Sequence, residues 1–475
     1  MKLLSIALLA ISLSSCHTPH LAGTTYKAVG REQKPAPLPI QNAVLPTFER
    51  IELDNGLTLM LCENHNLPLV QVAFATRAGS AVDPIDLPGL ANISMSMLDE
   101  GAGNLNAMQF ADQVALLGTA MSVVAGSDSS TISYPVTTEN LAQSLTLLAS
   151  MILTPTLNQQ DFKRVQKASI DDLESSLASP SFAALSKFSE VAYGSKYPYG
   201  HLPSGNVQSL KKISLADVKS FFAKNVGVNN SAIILVGDIT QEKAKELANS
   251  AFAQFTHKVP EAKIFPRLPS PGDMNLVRID RKNSQQTTLL LGKPLASMKK
   301  EPSAAMELLN QILGGAFNSR LNLNLRERKT WTYGVSSQLV AKKGIGPLVI
   351  SSNIQNPYAL QAISEIRKEF VKLKTERIGE DELSLAKNSL SLSLPGQFES
   401  NAGRMSKAVE LFVYDLPLDY YQQLMLKIPE VTAVDLAEEA QTALNERGWT
   451  VVAVGDFEGK EQEIKDLKIN MVGSP

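Results

Sequence analysis

Two stretches of this 475-residue chain repeat each other. Ile213-Ser214-Leu215-Ala216-Asp217-Val218 aligns without a gap with Val431-Thr432-Ala433-Val434-Asp435-Leu436, and Ile233-Ile234-Leu235-Val236-Gly237-Asp238 aligns with Val451-Val452-Ala453-Val454-Gly455-Asp456. Both pairs lie 218 residues apart. In each copy a Ser or Thr is followed three residues later by Asp, the pattern of a helix N-cap, and the helix leads to an apolar strand ending in Val-Gly-Asp. Chance supplies one such match more readily than two in register, so the chain is expected to fold as two copies of one unit.

The copies run from about 47 to 256 and from 276 to 463, with a proline-bearing linker at 257–275 (Pro260, Pro266, Pro269, Pro271) and a tail at 464–475. Each opens with strands: Leu57 to Cys62 and Val70 to Thr76 in the first, Leu276 to Ile279 and Thr287 to Leu291 in the second. Apolar residues then recur at helical spacing, as in Leu141, Leu145, Leu148 and Ile152, in Phe162, Val165, Ser169, Leu173 and Leu177, and in Ile363, Ile366 and Phe370. Strands and helices come in blocks rather than in strict alternation. That order predicts an α+β fold in which each unit is a largely antiparallel sheet covered on one face by helices.

With 44% apolar and 19% charged residues, the chain has the composition of a packed protein and not of a disordered one. Basic and acidic side chains number 45 and 47, for a net charge of −2, and no run of five or more Lys/Arg occurs. Nothing here would hold a phosphate backbone, so nucleic acid is excluded as a partner. Only five histidines exist, and no two of His65, His201 and His257 fall within one helical turn, which argues against a compact His-based metal site.

Lys2 followed by the mostly apolar Leu3 to Leu13 is too short to span a bilayer, which needs about 20 apolar residues, and reads as a secretory signal over residues 1–15. Leu13-Ser14-Ser15-Cys16 resembles the bacterial lipobox, which implies that Cys16 is lipidated and becomes the first mature residue. The protein would then be a cell-envelope lipoprotein facing the periplasm, and His17 in place of Asp after the cysteine favours the outer membrane. Residues 16–46, with Pro19, Pro35, Pro37, Pro39 and Pro46, read as a tether holding the folded part off the membrane.

Gly-x-Ser-x-Gly, a P-loop, Gly-x-Gly-x-x-Gly, Cys-x-x-Cys and His-x-x-Glu-His are all missing from the sequence. Even so, Asn55-Gly56-Leu57-Thr58, Arg77-Ala78-Gly79-Ser80, Pro88-Gly89-Leu90-Ala91 and Tyr197-Pro198-Tyr199-Gly200 are similar to the N-terminal pattern of the pitrilysin/insulinase family of zinc metallopeptidases. Gln286-Thr287, Leu291-Gly292, Leu313-Gly314-Gly315 and Ser319-Arg320-Leu321 resemble its C-terminal unit. The resemblance covers nearly the whole mature chain.

It breaks at the reactive centre. Where active members carry His-x-x-Glu-His after Gly-Leu-Ala, this chain reads Asn92-Ile93-Ser94-Met95-Ser96, so Asn92 and Ser96 replace the imidazoles and Met95 the general base. The family's downstream ligand Glu falls near Asp172. One carboxylate cannot hold zinc, which takes three protein ligands at about 2.0–2.3 Å. No cofactor is expected in this chain. A substitute cluster of Asp99, Glu100 and Asp172 is outweighed by the commoner reading of solvated carboxylates. Cys62 reads as a small core residue, and His65 and His201 as hydrogen-bonded loop residues.

One element is kept. Arg326-Glu327-Arg328-Lys329-Thr330-Trp331-Thr332-Tyr333-Gly334 is similar to the family segment whose Arg and Tyr, seven residues apart, reach the zinc site from the opposite half. The resemblance implies that Arg326 binds substrate and that Tyr333 donates to a developing oxyanion. The competing reading is that both residues only pack and cap. The resemblance, to a family some of whose bacterial members pair a zinc-bearing chain with one lacking the motif, implies a non-catalytic subunit that closes with a zinc-bearing homologous subunit around an unfolded peptide, with zinc in that partner. The alternative is a structural or peptide-binding envelope lipoprotein with no peptidase role.

Overall fold

The computed structural model describes residues 43–261 and 265–472. The expected signal segment, Cys16 and most of the tether lie outside the described residues. The first sheet is formed by β1 (Glu49–Glu52), β2 (Thr58–Glu63), β3 (Leu69–Thr76), β6 (Ser122–Ala125), β7 (Ser130–Thr137) and β8 (Ser231–Gly237), while β4 (Gly101–Ala102) and β5 (Leu105–Asn106) make a separate short hairpin. The second sheet comprises β9 (Asn275–Asp280), β10 (Gln286–Ser297), β11 (Thr332–Leu339), β12 (Ile345–Gln355), β13 (Thr450–Gly455) and β14 (Asn470–Met471).

The repeat in the sequence becomes a repeat in topology. Strand order is β1-β2-β8-β3-β7-β6 in one sheet and β11-β12-β10-β13-β9-β14 in the other. β8 lies between a parallel β2 and an antiparallel β3, just as β13 lies between a parallel β9 and an antiparallel β10. The repeated Ser/Thr-x-x-Asp passages are both capping boxes. Asp217 accepts from the Ser214 backbone N–H at 2.9 Å at the start of helix Leu215–Asn225, and Asp435 from that of Thr432 at 2.7 Å at the start of helix Ala433–Ala443. The copies differ at one edge, where β1 runs antiparallel to β2 but β14 runs parallel to β9. Part of the stretch expected as a tail is therefore structured: helix Glu461–Asp466 ends within it, and β14 follows to cover an edge that β9 would otherwise leave open.

Helices cover one face of each sheet, and the opposite face takes a helix from the other half. On the first sheet Leu59, Leu61, Val72, Phe74, Ile233 and Leu235 enter the core of their own half. Alternate residues Met60, Cys62, Ala73, Ala75, Ala232 and Ile234 instead join the core of the second half, beneath helix Asn401–Val413. Reciprocally, helix Pro180–Tyr193 of the first half lies on the second sheet, where Phe188 meets Leu290, Val452 and Val454. The approach is close enough that a Cβ at Gly292 would fall 2.4 Å from the Phe188 ring. Strands sandwiched in this way need apolar residues on both faces, which is why β8 and β13 are continuously apolar rather than alternating.

Motifs that carried the family resemblance lock this exchange. Arg77 donates through Nε and Nη2 to the Phe412 carbonyl at 3.1 and 2.6 Å and stacks over the Phe412 ring, capping the end of the exchanged helix. Tyr199 donates to buried Asp128 at 2.6 Å and accepts from the Gly344 N–H at 2.8 Å, while Asp128 accepts from the Lys343 N–H at 2.9 Å. The loop joining β11 to β12 is thereby fastened to the first half.

Candidate functional site

Helix Leu90–Ser96 carries Asn92, Met95 and Ser96, the positions that the resemblance aligns with the zinc motif. It begins at Gly89 in the left-handed region, φ 97°, and Asp83 accepts from the Gly89 and Ala91 N–H groups, each at 2.8 Å. Burial pushes the Asp83 carboxyl up to about 7, against the pull of those N–H groups. These bonds hold the start of the helix in place. Asn92 and Ser96 are half-buried and Met95 is buried in the core of the first half. Asp172, on helix Gln159–Leu177, points to solvent, whereas its neighbour Leu173 faces inward. An amide, a hydroxyl and a thioether do not make a zinc site. Among the described residues no group of three His, Cys, Asp or Glu side chains stands close enough to hold a metal. Glu100 is committed to an ion pair with Arg164, and Asp99 is exposed.

Other residues singled out in the sequence have ordinary surroundings. Cys62 is buried on β2. It has the basic neighbour that sequence alone did not reveal, Arg404, yet burial outweighs it and raises the thiol. His65 bonds through Nδ1 to Asp238 at 2.7 Å and through Nε2 to Glu63 at 3.1 Å, and His201 bonds to the Leu202 carbonyl at 3.2 Å.

The Arg326–Tyr333 segment is built differently. Helix Ala304–Asn310 opens into the wide π-type turns Gln311–Gly315 and Asn322–Arg328, which lie against β11. Buried Asn322 acts as a surrogate strand: its amide donates to the Val335 carbonyl at 2.8 Å and accepts from the Val335 N–H at 2.9 Å. β11 begins with a bulge, since Thr332 and Val335 pair with Ile354 and Ser352 and one extra residue is left over. Thr332 Oγ1 accepts from the Gly334 N–H at 3.1 Å and Ser352 Oγ donates to the Gly334 carbonyl at 2.8 Å. Thr330, a β-branched residue, sits at φ 56° two residues before the strand begins.

This heavily stitched backbone presents a side chain that contributes nothing to packing. Tyr333 is 91% exposed, and its hydroxyl has no hydrogen-bond partner among the described residues. Arg326 is half-buried, with Cζ 4.0 Å from the centroid of the Phe317 ring and Nε 3.4 Å from Glu327. Trp331, between the two, stacks on Tyr358 at 5.0 Å under the Lys329 ammonium. Arg326 and Tyr333 therefore flank one rigid turn at the edge of the second sheet. The degenerate helix belongs to the first half, and no hydrogen bond or ion pair among the described residues joins it to them. Phe317 and Asn322 were not identified from the sequence. Asn322 stands four residues before Arg326, and that helical spacing was the one available signal.

Known proteins share this architecture. Residues 59–194 match the insulinase family (peptidase family M16), and residues 212–390 match the peptidase M16 inactive domain. The non-peptidase homolog YmxG of Helicobacter pylori is 24% identical over 403 residues, which are 82% of this chain and 90% of that protein. Zinc protease PqqE of the same organism is 22% identical over 417 residues, again 82% of this chain and 90% of that protein. A crystal structure of a peptidase M16 inactive domain from Pseudomonas fluorescens superposes with a TM-score of 0.80 at 26% identity, covering 86% of this chain and 98% of the other. On this evidence the chain belongs to the insulinase family, peptidase family M16, with the family's inactive domain over residues 212–390.

Proposed function

We propose that this protein is a non-catalytic subunit that associates with a zinc-bearing homologue and supplies Arg326 and Tyr333 to the peptide held at the partner's metal. The observation that carries the reading is Tyr333, 91% exposed on a backbone fastened by a bulge and by side-chain hydrogen bonds. A fold that spends this much order on an unpacked side chain supports a role for it outside the chain. Arg326 keeps its terminal N–H groups available for a carbonyl or carboxylate, and the Tyr333 phenol is available to a developing oxyanion. The occurrence in one bacterium of a non-peptidase homolog and a zinc protease, both related to this chain, supports pairing of the two kinds.

The substrate in this reading is an unfolded peptide. β6 is an edge strand with Val124 54% exposed, suited to adding an extended chain, whereas the edge of β11 is covered by the turns at 311–328. The assembly works at the periplasmic side of the outer membrane, tethered through lipidated Cys16. In the test, the complex is reconstituted with Arg326→Ala or Tyr333→Phe, and peptide cleavage is measured beside subunit affinity. Loss of one donor should lower turnover by about 10²–10³ with pairing intact. Normal pairing with wild-type cleavage would refute the role in trans and leave the structural-lipoprotein alternative. Separately, Cys16→Ser should release the protein from the membrane, and unchanged membrane retention would refute the lipid anchor.

A further inference from the structure

We infer that Phe317 is a positioning residue, whose ring is the shelf that orients Arg326 toward its ligand; the inference rests on the reading that Arg326 meets the peptide. Phe317 is 72% exposed, so the fold gains little from it. It is delivered there by a chain that passes hard against β11, where a Cβ at Gly314 would fall 2.8 Å from Ser337 Oγ, and that is tightly wound, since one at Gly315 would fall 2.9 Å from Gln311 Oε1 of the same turn. A glycine at 314 permits that approach, and Phe317 follows three residues later.

At 4.0 Å from Cζ to ring centroid, the guanidinium lies over the aromatic face. Stacking uses the face of the cation and leaves its N–H donors, which lie in the plane, unspent. The Glu327 contact is through Nε at 3.4 Å, and the terminal nitrogens donate no hydrogen bond among the described residues, which leaves them for a bidentate contact. An arginine without this shelf would have to give up its rotamer freedom when ligand arrives. On the shelf much of that ordering is already done, which is what preorganisation means here.

The experiment uses the reconstituted complex with Phe317→Ala, Phe317→Leu and Phe317→Trp, alone and combined with Arg326→Ala, reading kcat, KM, subunit affinity and unfolding midpoint. Phe317→Ala should lower kcat/KM about two- to fivefold, the range for an exposed cation–π contact, with unfolding unchanged. Phe317→Trp should restore it, Phe317→Leu should not, and Phe317→Ala should add no loss in the Arg326→Ala background. In the isolated chain, the Arg326 Nε–H NMR resonance should carry a ring-current shift that disappears in Phe317→Ala. The inference is overturned if Phe317→Ala cleaves like wild type while Arg326→Ala is impaired, if Leu rescues as well as Trp, or if the ring-current shift is missing. If Arg326→Ala itself is without effect, the functional reading fails first and takes this inference with it.

Discussion

Tyr199→Phe tests the clasp that fixes the β11–β12 loop, and hence the strand presenting Tyr333, to the first half. The substitution removes one oxygen and keeps the ring, so the contacts of that ring with Tyr193, Tyr197 and Phe265 survive. Two bonds disappear: the one donated to the Asp128 carboxylate at 2.6 Å and the one accepted from the Gly344 N–H at 2.8 Å. A hydrogen bond to a charged group is worth about 1.5–3 kcal/mol, and an orphaned buried N–H costs about 1–3 kcal/mol. Asp128 retains its bond from the Lys343 N–H, which limits the damage, so the expected loss is about 3 kcal/mol. Tyr193→Phe is the control, because it removes a single neutral bond to the Ile345 carbonyl and should cost about 1 kcal/mol. Equilibrium urea unfolding would be followed by circular dichroism and by the fluorescence of Trp331 and Trp449, both in the second half. If the clasp couples the halves, the two probes should coincide in wild type and separate in Tyr199→Phe. A loss no greater than that of the control, with coincident transitions, would refute the reasoning.

Three further outcomes are expected. Asn322→Ala, which orphans the Val335 N–H and carbonyl, should cost about 3 kcal/mol in urea unfolding, and a loss under about 1 kcal/mol would mean that the clamp is dispensable. Asp238 and then Glu63 raise the affinity of His65 for its proton, so its contribution is complete below the unfolded value of about 6.5 and fades as pH rises through the raised folded value. His65→Gln should therefore lower the unfolding midpoint more at about pH 5.5 than at about pH 8.5, and the opposite order would contradict the assignment. Purified alone, the chain should hold no stoichiometric zinc by elemental analysis, because Asn92, Met95 and Ser96 offer no ligand set; tight zinc with chelator-sensitive cleavage would overturn this.

Local and periodic information is legible in a sequence because it is written in neighbouring residues. The offset between the copies carried over into two sheets of matching strand order, the Ser214 and Thr432 capping boxes formed where their spacing placed them, and the apolar stripes became helices. Degeneration of the zinc motif was equally visible, since it depends on which side chains are present and not on where they point. Pairings across the chain were not legible. An apolar stripe demands burial without naming its partner, so nothing in the sequence marked Pro180–Tyr193 and Asn401–Val413 as the helices exchanged between halves. Asp172 was one helical step from an inward position, and only the phase of the folded helix turned Leu173 inward instead. The residues that support the candidate site make the same point. Phe317 reaches Arg326, and Asn322 reaches Val335, only because the chain turns back between them, and nothing in the composition of the turn specifies that return. Side-chain chemistry and periodicity are properties of short segments, whereas the orientation of a guanidinium or the exposure of a phenol is set by packing between segments far apart in the chain.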